Sequence, residues 1–232
     1  MYTLYIGNKN YSSWSLRPWA LLTALHIPFK EVLVPFDDGG SWDKFRQFSP
    51  TGLVPCLHDE DGNNETVVWE SLSIVEYIAE AYPIVWPADK VARAWARSAS
   101  AEMHAGFSHL RNECAMTVGL RIRLHEQSEG LLDNLKRLAE IWQQGLTRFG
   151  GPFLAGDAFT AVDAFYAPVV FRIQTYGLSL PPDAQQYVEH MLAQPAMQKW
   201  TADALTEPYR EPGHEEELKA CGQWLQDLRA PL

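Results

Sequence analysis

The stretch from Gly52 to Ser71, GLVPCLHDEDGNNETVVWES, constrains the fold more than any other part of the chain. A proline has no N–H to give to a sheet and is tolerated where a strand begins, so Pro55 places the mouth of a strand at Val54-Pro55. Two apolar runs separated by an acidic turn then read as a β-hairpin, with Cys56 on an inner strand as a small buried residue. The second run stops at Glu70-Ser71, and Ser71 is expected to cap the helix that follows. Val54 is left with a free N–H and C=O, and an X-Pro bond is the kind that adopts the cis form. Beyond Ser71 the helix offers its first N–H groups and the positive end of its dipole. The two ends together suit a small extended ligand with a peptide-like middle and a carboxylate at one end.

The surrounding pattern supplies the rest of a small domain. Residues 2–6, YTLYI, form a strand ended by Gly7-Asn8, and a polar loop runs on to Ser13. With Ser15 as N-cap, Leu16, Trp19, Ala20, Leu22 and Leu25 recur at helical spacing, Pro18 falls in the first turn and Pro28 ends the helix. Residues 29–34 alternate as a strand, giving β-α-β with a crossover long enough to join parallel strands. A short helix over 42–48 leads into the hairpin, and the helix after it carries Ser73-x-x-Glu76 at capping-box spacing. The order βαβαββα over residues 1–82 is a thioredoxin-like arrangement.

From residue 83 the pattern changes. Residues 83–89 read as a proline-containing linker, and residues 90–232 as an all-helical domain with no further strand. One long helix is expected from Lys90 to about Met116, and another from Glu129 to Phe149, stopped by Gly150-Gly151-Pro152. Thr160-x-x-Asp163 opens a helix that holds Pro168 at a kink. Two shorter helices over 184–193 and 196–205 precede a polar tail with a short helix near 218–228. The fold class is α/β plus all-α.

Composition narrows the function. A net charge of −10 and a pI near 5.1 oppose nucleic-acid binding, which depends on Lys and Arg neutralising phosphates. The N-terminus has no signal-peptide pattern and no stretch is long and apolar enough for a membrane span, so a cytoplasmic location is expected. Cys56, Cys114 and Cys221 are odd in number and far apart, which suggests neither a disulfide framework nor a zinc site.

Chemistry has few places to reside. Ser12-Ser13-Trp14-Ser15 lies between the first strand and first helix, so Ser12 or Ser13 can turn a hydroxyl toward the Val54 backbone; all three serines can equally be loop and capping residues. No G-x-S-x-G is present for serine hydrolysis. His104 and His109 are five apart, and the HEEE run at His214 lacks the second histidine of H-E-x-x-H, so no metal is expected. No glycine-rich phosphate loop occurs either.

The motifs SPTGLVPCL, WESLSIVEYIAEAYP and FTAVDAFYAP, with the YSSWS loop, occur in an order and spacing by which the chain resembles the cytosolic glutathione transferases over nearly its whole length. The YSSWSLR segment is similar to the serine-containing loop of the theta and zeta classes. The resemblance implies a homodimeric enzyme that takes glutathione as co-substrate and conjugates it to a small apolar electrophile. It implies that Val54, beside a cis Pro55, pairs its backbone with the cysteinyl part of glutathione. Glu70 would meet the γ-glutamyl ammonium and Ser71 its carboxylate. Ser12, with Ser13 as the alternative, would donate to the sulfur and favour the thiolate. Trp14, Glu102, Met103, His104, Phe107 and Arg111 would line the electrophile site, or else pack in the helical domain. Leu53 and Gly40 stand where theta-class members carry a lysine and a histidine, leaving Lys44, Arg46 and Arg17 as candidates for the glycine carboxylate. Trp14 replaces a zeta-class cysteine and Thr175 an arginine, with Arg172 nearly a turn earlier, so maleylacetoacetate isomerisation is not implied. Isomerase, peroxidase or dehalogenase activity on the same thiolate is the alternative within enzymology; a non-catalytic binding module is the alternative outside it.

Overall fold

A computed structural model describes residues 1–61 and 64–231; the acidic residues Asp59 to Asp61, expected in a turn, belong to the first strand of the hairpin, and residues 62 and 63 lie outside the described residues. Strand β1 (Tyr2–Ile6) is joined by helix α1 (Ser13–Ala24) to a parallel strand β2 (Phe29–Leu33), with Tyr2 opposite Phe29 and Ile6 opposite Leu33. A four-residue helix α2 (Trp42–Phe45), shorter than expected, precedes the hairpin of β3 (Cys56–Asp61) and β4 (Asn64–Trp69). The sheet order is β2-β1-β3-β4, with β3 antiparallel to both neighbours. Pro55 stands just before β3, so its missing N–H removes nothing from an interior strand. Helix α3 (Ser71–Ala81) then returns across the sheet, placing Ile74, Val75 and Ile78 in the core.

The second domain is helical. Helix α4 (Lys90–Ala105) is capped by Asp89, whose carboxylate accepts the N–H groups of Val91 and Ala92. The expected continuation to Met116 does not occur: Gly106 is extended, Phe107 is left-handed at φ 61°, and a separate helix α5 (Ser108–Glu113) begins. Arg111 folds back to donate to the carbonyls of Gly106 and Met103, supplying at the end of α4 the bonds that a further turn would have made. Helix α6 (Glu129–Phe149) ends on left-handed Gly150 as the Gly-Gly-Pro stop predicts. Helix α7 (Ala161–Tyr176) has the Thr160/Asp163 capping box and is buried nearly all round, so it is the central strut of the domain. Helices α8 (Pro182–Leu192) and α9 (Pro195–Thr206) follow as expected.

Two expectations for the remainder are corrected. The domain does contain strands: β5 (Leu120–Leu124) pairs antiparallel with β6 (Gly222–Asp227). In β5, Leu120 and Ile122 are buried while Arg121 and Arg123 face outward, a period-two pattern that five residues hardly distinguish from a loop. The tail forms helix α10 (Pro212–Cys221) and β6 rather than a helix over 218–228, because Gly222 lets the chain pass against the Arg123 carbonyl, which a Cβ would meet at 2.3 Å. Helices α1 and α7 pack across the two domains, and no helix among the described residues is long and apolar enough to cross a membrane.

Candidate active site

Three chain ends meet where the domains join: the N-terminus of α1, the Val54-Pro55 segment and the N-terminus of α3. The cap of α1 is Ser12, three residues earlier than expected, and the helix therefore carries Pro18 in its second turn. The Ser12 hydroxyl accepts the Ser15 N–H at 3.4 Å and donates to Ser15 Oγ at 2.7 Å, which also accepts the Gly7 N–H at 3.1 Å. Ser13, the first helical residue, gives its N–H to the Tyr11 carbonyl, and its hydroxyl has no partner among the described residues.

This loop is held mainly from the other domain. Glu207 accepts the N–H groups of Lys9 and Asn10. Asn10 bonds the Ala204 carbonyl and the Gly119 N–H, and Trp200 donates to the Lys9 carbonyl at 3.0 Å. The Tyr11 hydroxyl meets Glu215 at 2.5 Å and Arg229 at 3.4 Å, both from the tail.

The Val54-Pro55 bond is cis, and the Val54 N–H and C=O make no backbone hydrogen bond among the described residues. Opposite it, the cap of α3 is Glu70, not Ser71, and Ser73-x-x-Glu76 is no capping box: Ser73 is inside the helix and Glu76 pairs with Arg97. Glu70 has φ 72° and ψ 128°, a backbone conformation that costs on the order of 1–3 kcal/mol for a residue with a side chain. No side chain caps this end, so the N–H groups of Ser71, Leu72 and Ser73 are unpaired among the described residues, Ile74 being the first to bond back to Glu70.

Arg17 lies beneath this end. Its guanidinium is fully buried between the rings of Trp14, 4.1 Å away, and Phe165, 4.9 Å away. Nη1 donates to Ser71 Oγ at 3.3 Å and faces His104 Nδ1 at 3.4 Å, while buried Nε has no partner among the described residues. No carboxylate is within 4 Å of Arg17 among the described residues. Burial first, then the nearby Arg111 and Arg172, hold its pKa well below the usual arginine range. His104 Nε2 faces Glu70 at 3.4 Å, so the neutral ring carrying its proton on Nε2 serves both neighbours. Burial and the Arg17 charge lower its pKa, which keeps it neutral near pH 7.

The structure thus groups Trp14, Ser71 and His104 around Arg17, with Glu70 beside His104 and Arg111 over Trp14, and the pairing of Cys56 with Trp69 sets Val54-Pro55 next to Glu70-Ser71; Ser12 and Ser13 stand at the start of α1, at the same end of the sheet. Arg111 also stands over the Trp14 ring, at 4.9 Å, and His104 meets the same ring edge-on at 5.3 Å. Met103 and Phe107 are instead core residues, 2% and 7% exposed, because the break at Gly106 turns the chain inward there. Glu102 is taken up by Arg137. Arg17 serves the Ser71 end rather than the glycine end, and Lys44 is bound to the Pro35 carbonyl and Asp37; Arg46 stands over the exposed Trp42 ring. A lone charge inside the apolar run SLRPWALL was the available signal that Arg17 is buried for a purpose.

Known proteins share this two-domain fold. The family model described as "Glutathione S-transferase, N-terminal domain" matches residues 11–81, and that described as "Glutathione S-transferase, C-terminal domain" matches residues 93–200. Glutathione S-transferase GstB of Escherichia coli is 25% identical over 195 residues, covering 77% of this chain and 88% of its own. A probable maleylacetoacetate isomerase of Caenorhabditis elegans is 26% identical over 188 residues, covering 77% and 82%. Among solved structures, a glutathione transferase homologue from Burkholderia with bound glutathione superposes with a TM-score of 0.65 at 25% identity, covering 88% of this chain and 97% of that one. With both domains matched in order, the chain belongs to the cytosolic glutathione transferase family.

Proposed function

We propose that the protein binds glutathione in this cleft and conjugates its thiolate to an electrophile. One observation carries the reading: the unpaired amides of α3, the Ser71 hydroxyl and a buried arginine without a carboxylate converge on one point, which is an anion site built into the fold. The γ-glutamyl carboxylate fills it, with the ammonium on Glu70. The free Val54 N–H and C=O pair with the cysteinyl amide, which brings the sulfur toward the N-terminus of α1.

The nucleophile is the ligand's sulfur rather than a protein thiol. Burial pushes Cys56 up to about 11 and Cys114 up to about 12, so neither ionises near neutrality. At the sulfur, the Ser12–Ser15 pair acts as a short relay. Without ligand, Ser12 donates to Ser15 Oγ; for the Ser12 proton to point at the thiolate this bond reverses, Ser15 then donating to Ser12, and the dipole of α1 acts in the same sense. A hydrogen bond to a charged acceptor contributes about 1.5–3 kcal/mol, and each pKa unit requires about 1.4 kcal/mol, so Ser12 lowers the thiol by about one to two units. Family likeness further supports a cytoplasmic homodimer, with exposed Ile84 and Val91 at the domain junction as part of the covered face.

The test is the ultraviolet absorbance of bound thiolate as a function of pH. Ser12→Ala raises the bound thiol pKa by about one to two units while glutathione affinity changes by less than about threefold. An unchanged pKa transfers the role to Ser13, and a wild-type pKa equal to that of free glutathione overturns the catalytic reading.

A further inference from the structure

Three buried or half-buried arginines surround the cleft without an acidic partner. In a chain with 29 acidic and 19 basic side chains, carboxylates are in excess, yet none lies within salt-bridge distance of Arg17, Arg111 or Arg172 among the described residues. Arg172 is satisfied by the carbonyls of Cys114 and Pro168, which meet its hydrogen-bonding needs but leave its charge uncompensated. Arg111 spends Nε and Nη2 on the carbonyls at the end of α4, leaving Nη1 without a partner among the described residues. Arg17 leaves Nε and Nη2.

The acidic groups on this face do not cancel these charges. Glu102 is held by Arg137, and Glu70, beside His104, receives the ligand's ammonium. His104 adds no charge when neutral. Glutathione's glutamyl end is a zwitterion, and its thiolate and glycine carboxylate each bring one negative charge; the reading above sets none of these groups against Arg111, so the unpartnered Nη1 of Arg111 stays available beside Trp14 after glutathione is bound. That side is open: Trp14, His104 and Arg111 are half-buried, and the free edge of Arg111 sits over the indole face.

From this geometry, and resting on the glutathione reading above, we infer that the electrophile carries a carboxylate, held by the free edge of Arg111 while its carbon skeleton lies along Trp14. A planar carboxylate matches the guanidinium fork, and the exposed part of the half-buried Trp14 side chain provides the apolar surface for the reacting part. The pocket therefore selects small acidic electrophiles over neutral ones of the same shape.

Calorimetric titration with two product-like conjugates, S-(para-carboxybenzyl)glutathione and S-(para-carbamoylbenzyl)glutathione, tests this with unaltered protein. The carboxylate binds about tenfold tighter or more at low salt, and the advantage falls to within about twofold in Arg111→Gln. Equal affinity for the two conjugates overturns the inference while glutathione binding stands. A preference that survives in Arg111→Gln overturns the assignment to Arg111. If neither conjugate nor glutathione binds, the glutathione reading falls, and this one with it. Because Arg111 also caps α4, the two-conjugate comparison on the native chain decides the charge preference even if the variant does not fold.

Discussion

Replacing Arg17 with methionine separates the cost of the cleft from its use. In the free protein the guanidinium is fully buried with an unpartnered Nε and no carboxylate in reach, so it is held there against its own solvation. Exchanging a buried ion for an apolar side chain of similar length is neutral or stabilising by about 1–4 kcal/mol in general. Here the lost bond to Ser71 and the lost stacking between Trp14 and Phe165 offset part of that, giving a free protein as stable as wild type or up to about 3 kcal/mol more so. Ligand binding moves the other way. Losing one charge-assisted contact of about 2 kcal/mol weakens glutathione about 30-fold. At a concentration about 100-fold above the wild-type Kd, glutathione adds about 2.7 kcal/mol to wild type and about 0.9 kcal/mol to Arg17→Met. A chain of this size gains about 2–4 °C in Tm per kcal/mol, so the glutathione shift contracts from about 5–11 °C to about 2–4 °C. Thermal unfolding with and without glutathione reads both arms. A variant that loses more than about 2 kcal/mol of intrinsic stability while keeping the full glutathione shift would refute the argument, because Arg17 would then be a packing residue.

Glu70→Gln keeps the shape of the α3 cap but loses the charge opposite the glutamyl ammonium; glutathione affinity falls about tenfold or more by calorimetry, with little change in Tm. Asp163→Ala removes the buried acceptor of the Leu154 N–H, the Thr160 N–H and the Tyr187 hydroxyl, and costs about 3 kcal/mol or more in denaturant unfolding. Burial, opposed by those hydrogen bonds, pushes the Asp163 carboxyl up to about 6, so the folded state holds this proton more tightly than the unfolded state. Its contribution is therefore present below about pH 4 and lost as pH rises to about 6, a change on the order of 3 kcal/mol that Asp163→Asn removes from the pH profile of stability. Arg229→Met leaves Glu215 and the Tyr11 hydroxyl without their buried partner; it destabilises by about 3 kcal/mol and exposes the tail to limited proteolysis, and wild-type resistance would show that β6 is held by strand pairing alone.

What could be read from the amino-acid order and what could not divide along the reach of the forces involved. The hairpin, the Val54-Pro55 mouth and the turn into α3 follow from rules that act within a few residues: a proline without an N–H, alternation, a stop before an apolar helical stripe. The caps fall one to three residues from the expected positions: Ser12 and Ser15 satisfy the same local preference, so packing decides between them, and Glu70, not a favoured cap residue, precedes Ser71 at the start of α3 without a side-chain cap bond. The split between α4 and α5 escaped notice because Met103, Phe107 and Leu110 keep helical spacing across Gly106, whereas the bond from Arg111 to the Gly106 carbonyl is a tertiary choice. Strands β5 and β6 lie about a hundred residues apart in the chain, and neither is hydrophobic enough alone to announce a partner. Arg17 was legible as an anomaly, a charge in an apolar run, but its direction depended on α3 and α7. The loop that carries Ser12 is the extreme case: its amides bond to Glu207 at a separation of 198 residues, and its tyrosine meets Arg229 at 218. In the role proposed for Ser12, a hydroxyl that points at the ligand's sulfur is thus oriented by the end of the chain: the motif identifies which serines are eligible, and the tail fixes the loop that carries them.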